Sequence, residues 1–89
     1  MTIIGRIQQF AQLWRIAIPG VSVPNDQQFY RWCEAFDDTQ LERAICRAAK
    51  KIRNGTLKAD AEVMGRYITG VALHEREKTE ERAARTERS

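Results

Sequence analysis

Six cations and no carboxylate occupy residues 43 to 58: Arg43, Arg47, Lys50, Lys51, Arg53 and Lys58. The chemistry open to such a run is docking on phosphates, which gives an affinity that depends on salt and is largely blind to base sequence. An ordinary solvated helix face is also rich in lysine and arginine, but it intersperses acids for pairing at i,i+4. Here the nearest acid is Glu42, and its spacing from Thr39 fits a capping box, which would occupy it.

The other residue types that carry chemistry are too scattered to form a catalytic centre. His74 has no evident partner for general-base work and reads as a packing or boundary residue. Asp37-Asp38 and Asp60-x-Glu62 are carboxylate pairs suited to helix N-termini, where the helix dipole stabilises acids. A metal-dependent nuclease would need further acids around them. Cys33 and Cys46, with a single histidine in the chain, lack the ligand spacing of a zinc site. Two cysteines are also too few for a disulfide scaffold of this size, so both read as reduced, small hydrophobes in a cytoplasmic protein. The expectation is a non-enzymatic protein with no catalytic residues, metal or cofactor.

The elements that must position the cations are helices. At 100° per residue, Leu41, Ala48, Ile52 and Ile45 fall within about 60° of each other, with Arg43, Lys50, Arg47 and Lys51 opposite. The spacing predicts a helix from Thr39 to Asn54, stopped by Asn54-Gly55. A first helix is predicted from Ile3 to Ala17, with Ile3, Ile7, Phe10, Trp14 and Ala17 on one face and Ala11 and Ile18 beside it. Pro19-Gly20 ends it, and VSVPN is a Pro-broken connector. Asn25 suits the N-cap of a second helix, which carries Phe29, Trp32, Cys33 and Phe36 on one side before Asp37-Asp38 breaks it.

A fourth helix starts between Leu57 and Asp60, with Val63, Met64, Tyr67, Ile68 and Val71 inward and Glu62, Arg66 and Thr69 outward. Gly65 and Gly70 each weaken it by roughly 1 kcal/mol relative to alanine, and either would permit close approach of a helix or ligand. Tyr67 is central to the apolar arc; with its phenol edge exposed it would stack on an unpaired base. Arg66 would extend the basic surface where the third and fourth helices adjoin. Leu13, Ile16 and Leu73 fall outside the apolar arcs.

The resulting fold class is all-α: a small bundle of four helices with a projecting, charged C-terminal helix or tail. Residues 1–73 form the helical domain and 74–89 a charged extension. The extension holds five acids and five bases, so it cancels, and the whole excess of +3 lies before it. Within it Glu81 and Arg85 are spaced for an i,i+4 pair. At 89 residues, 43% hydrophobic and 30% charged, the chain is one globular domain. No apolar run is long enough to span a bilayer, and MTIIGRIQQF lacks the apolar stretch and cleavage site of a secretory signal, so no membrane partner is expected.

Three stretches, FYRWCEAF, LERAICRAAKK and RYITGVALHE, carry a resemblance. From Gln28 to Glu75 the chain resembles the C-terminal domain of DnaD-like replication-initiation and primosomal proteins, found in bacteria, phages and plasmids. Tyr67 and Val71 match the first two positions of that family's Y-x-x-x-I-x-x-x-W pattern, while Glu75 stands in place of the tryptophan. The resemblance implies a small helical domain that binds DNA through its last helix and following tail, as an accessory to helicase loading or replication initiation. A carboxylate at position 75 runs against that, because it repels phosphate.

The functional expectation is a nucleic-acid-binding accessory protein. Arg43, Arg47, Lys50 and Lys51 would dock on DNA phosphates, single- or double-stranded, with Arg53, Lys58, Arg66 and Tyr67 at the margins. Two alternatives remain open: a protein–protein adaptor or inhibitor whose basic face meets an acidic partner, and a self-associating homo-oligomer.

Overall fold

The computed structural model describes residues 2–88, with side chains through residue 84. It is an all-α four-helix bundle: α1 (Ile3–Ala17), α2 (Asp26–Ala35), α3 (Asp38–Arg53) and a longer α4 (Ala61–Arg88). No helix is long and apolar enough to cross a membrane among the described residues. The expected Glu81–Arg85 pair involves a side chain outside those described.

Helix boundaries follow from local capping. Thr2 caps α1 through the Gly5 N–H, and Asn25 caps α2 through the Gln28 N–H. Asp60 serves α4 in the same way, accepting from the Glu62 and Val63 N–H groups. The start of α3 differs from the Thr39 boundary predicted above. Its cap is Asp37, whose carboxylate accepts from the Gln40 N–H at 2.7 Å while the Gln40 side-chain oxygen accepts from the Asp37 N–H at 3.1 Å. Asp37-x-x-Gln40 thus supplies the capping box instead of Thr39-x-x-Glu42. Burial of Phe36 just before the cap and of Leu41 four residues into the helix fixes this register, as a hydrophobic staple does.

The core is built around three rings. Trp14 stacks on Trp32 at 6.4 Å between centroids, and Phe29 meets both edge-on. Their polar edges are satisfied: the Trp14 indole donates to the Val21 carbonyl and the Trp32 indole to the Thr69 hydroxyl. Such rings dominate the burial available to a small domain. Phe10, Ile18, Leu41, Ala44, Ile45, Ala48, Met64, Ile68 and Ala72 are buried around them, with Val21, Cys33, Phe36 and Ala49 completing the core.

The last turn of α2 contains no basic residue, so other helices cap its carbonyls. Arg6 of α1 donates to the Cys33 and Phe36 carbonyls and pairs with Asp38 at 2.6 Å. Arg76 of α4 donates to the Ala35 carbonyl and lies over the Phe36 ring. Orphan carbonyls at a helix end thereby become the joints between α1, α2 and α4.

Helices α3 and α4 pack as an antiparallel hairpin. The turn begins at Asn54 and passes through Gly55 at φ +74, a left-handed conformation that favours glycine. Along the hairpin Lys51 meets Tyr67, Arg43 meets Glu75, and Gln40 meets Thr79. α4 runs continuously across Leu73–His74, and its contacts with the bundle continue to Thr79.

The inward arc of α4 is rotated from the one predicted. Met64, Ile68, Ala72 and Glu75 are buried, Tyr67 and Val71 half-buried, and Val63 exposed. Thr69, expected outside, is half-buried under Trp32. The rotation arises because α4 faces α3 on one flank and the α2 rings on the other.

Candidate nucleic-acid interface

The cationic face is set by which side of α3 goes inward. Gln40, Leu41, Ala44, Ile45, Ala48 and Ala49 are buried, so Arg43, Cys46, Arg47, Lys50, Lys51 and Arg53 are exposed. The helix is 16 residues long, or about 24 Å at 1.5 Å per residue. Glu42 is exposed at its N-terminal end, not held by the cap.

Two of the arginines are held by an acid that the sequence placed in the charged extension. Glu75 Oε2 lies 3.2 Å from Arg43 Nη1, and Glu75 Oε1 lies 3.3 Å from Arg47 Nη2. The carboxylate is 6% exposed, whereas the arginine side chains are 57% and 51% exposed. One anion therefore sits beneath two cations, each with donors left over, and the triad keeps one net positive charge at the surface. Burial pushes the Glu75 carboxyl up, but the Arg43 hydrogen bond and the charges of Lys78, Arg47 and Arg43 outweigh it and hold the pKa below the usual value.

Lys51 lies over the Tyr67 ring, 5.2 Å from its centroid, a cation–π contact. That contact places the ammonium group over a face of the ring. Lys50, Arg53 and Lys58 make no ion pair or ring contact among the described residues, and all three are exposed. Lys58 belongs to the connector between α3 and α4. Lys78, exposed one turn beyond Glu75, adds a cation along the seam that the sequence reading did not include.

Arg66 is on the other flank. It pairs with Glu62 at 3.1 Å and lines a groove of about 780 Å³ between α2 and α4, with Arg31, Trp32, Gly65, Gly70 and Leu73. The structure therefore brings Arg43, Arg47, Lys50, Lys51 and Arg53 together and separates Arg66 from them. A Cβ added at Gly65 or Gly70 would meet nothing within 4 Å, so neither glycine mediates a close approach in the chain.

The cysteines differ from the expectation of two buried hydrophobes. Cys33 is buried, and burial pushes its thiol pKa up, with Arg6 lowering and Asp38 raising it. Cys46 is exposed on the cationic face, because it projects between the Arg43 and Lys50 turns. Among the described residues no group of three or more His, Cys, Asp or Glu could hold a metal ion.

The burial of Glu75 was obscured by its setting in HEREKTEERAARTERS, which reads as solvated throughout. The signal was its register. Tyr67, Val71 and Glu75 follow at i, i+4 and i+8, opposite arginines at i and i+4 of the preceding helix.

Comparison with protein-family models, with curated proteins and with solved structures finds no match to this chain.

Proposed function

We propose that this chain is a non-enzymatic accessory protein that docks on DNA phosphates through the exposed face of α3. Arg43, Arg47, Lys50 and Lys51 make the central contacts, with Arg53, Lys58 and Lys78 at the edges. The observation that carries the reading is the burial of Glu75 beneath two half-exposed guanidinium groups. The acid that would repel phosphate is covered by the cations that would bind it, and it orients them at the cost of one charge. Ordered guanidinium groups with spare donors suit phosphate oxygens, since less side-chain freedom is lost on contact. The resemblance to DnaD-like proteins implies the setting, replication initiation in a phage or plasmid; it also implies DNA contact through the last helix and tail, whereas the contacts proposed here lie on α3.

The clean test reverses Lys50 and Arg53, because neither is tied into the fold. Lys50→Glu/Arg53→Glu should keep the native circular dichroism, with a small drop in melting temperature from acids at the C-terminus of α3, while losing most DNA affinity in fluorescence anisotropy. Undiminished binding by the folded variant would remove α3 from the interface.

The adaptor reading is favoured by a different observation. Exposed Ile4 and Tyr30 flank a shallow pocket of about 350 Å³ with Ile7 and Gln8, an apolar spot of the kind that supports a protein contact. In that reading the cationic face meets an acidic protein surface, and DNA affinity is absent at moderate salt.

A further inference from the structure

We infer that the cationic face of α3 takes double-stranded DNA in preference to single-stranded DNA. The inference rests on the nucleic-acid reading above and names its substrate class. The observation behind it is where the aromatic rings lie.

The chain has three phenylalanines, two tryptophans and two tyrosines. Phe10, Trp14, Phe29, Trp32 and Phe36 are buried in the core. Tyr67 is half-buried in the α3–α4 seam with the Lys51 ammonium over its ring. Tyr30 is exposed, but it lies on α2 beside Ile4, where the neighbouring Glu34 raises its phenol pKa. The cationic face therefore presents charge and, at its edge, only the half-buried Tyr67 ring with Lys51 over one face.

An extended single strand is usually held by charge together with aromatic platforms on which successive bases stack. The stacking offsets the conformational freedom that a flexible strand loses on binding. A surface with charge alone leaves that cost standing. A duplex is already stiff over about 150 base pairs and carries one charge per roughly 1.7 Å of axis. Each phosphate neutralised on it releases more counterion than on a single strand, with slopes of about −0.9 against −0.7 per contact. The row Arg43, Arg47 and Lys51, climbing about 6 Å per step on a rigid helix, offers the duplex several such contacts without ordering it.

The experiment is fluorescence anisotropy of the full chain with a labelled mixed-sequence duplex and a labelled oligothymidylate of equal length, at one salt concentration. The duplex should bind at least about fivefold more tightly, since one missing stacked base is worth that much or more. Equal or tighter binding to the single strand overturns the inference while leaving the nucleic-acid reading in place. Binding to neither overturns that reading and this inference with it. Tyr67→Leu supplies a second measurement: the ratio of duplex to single-strand affinity should be unchanged, and a selective loss of single-strand binding would show that Tyr67 stacks after all.

Discussion

Glu75 and Arg43 are joined across the α3–α4 hairpin, the buried carboxylate accepting from Nη1 at 3.2 Å while the guanidinium remains half-exposed. Arg47 completes the clamp on the other carboxylate oxygen. Charge-assisted hydrogen bonds of this kind contribute about 1.5–3 kcal/mol, less where one partner faces water. Glu75→Ala should therefore destabilise the chain by about 1–3 kcal/mol in urea denaturation. A change of a few tenths would show that the clamp orients the arginines without holding the hairpin together.

The same contact has a pH signature. The pKa of Glu75 is lowered in the folded chain from its ordinary 4.5, so the unfolded chain takes up this proton first. The stabilisation is complete above the ordinary value and is lost as pH falls through the folded one. Native protein and Glu75→Gln should differ in urea midpoint at neutral pH and converge in acid, below the ordinary carboxylate range. A gap that stayed constant into acid would exclude Glu75 as its source.

Gly70 lies exposed in mid-helix with open space where a Cβ would go. Gly70→Ala should stabilise the fold by about 0.5–1 kcal/mol, raising the melting temperature by several degrees. A loss of stability would mean that the α2–α4 groove is narrower in solution than in this structure.

The two thiols should separate kinetically. Cys46 is exposed and Cys33 is buried with a raised pKa, and reactivity follows the accessible thiolate. One equivalent of a maleimide or disulfide reagent should react quickly at Cys46, and the second only on unfolding. Rapid reaction of both would indicate that α2 opens readily from the α1 rings.

Local signals in the sequence carried most of the architecture. Ile3–Ala17 followed from an apolar stripe closed by Pro19-Gly20, and Asn25 and Gly55 marked their helix ends by side-chain chemistry and φ alone. The aromatic faces of α1 and α2 were legible because large apolar residues at helical spacing have only one place to go. The start of α3 was not, because Asp37-x-x-Gln40 and Thr39-x-x-Glu42 are overlapping caps and only the burial of Phe36 and Leu41 decides between them. Glu75 was hidden for a different reason. Which charged residue of a solvated segment turns inward depends on what the neighbouring helix offers it, and Arg43 and Arg47 become that offer only once the hairpin closes. Arg66 shows the converse, since its separation from α3 depends on the rotation of α4, in which Ala72 and Glu75 turn inward with Met64 and Ile68.

The most direct measurement is the salt dependence of duplex binding by the native chain. With four to six phosphate contacts on α3, log affinity against log salt should fall with a slope of about −3 to −6. A flat dependence, or no binding at low salt by protein shown to be folded, would contradict phosphate docking and point to a protein partner for the cationic face.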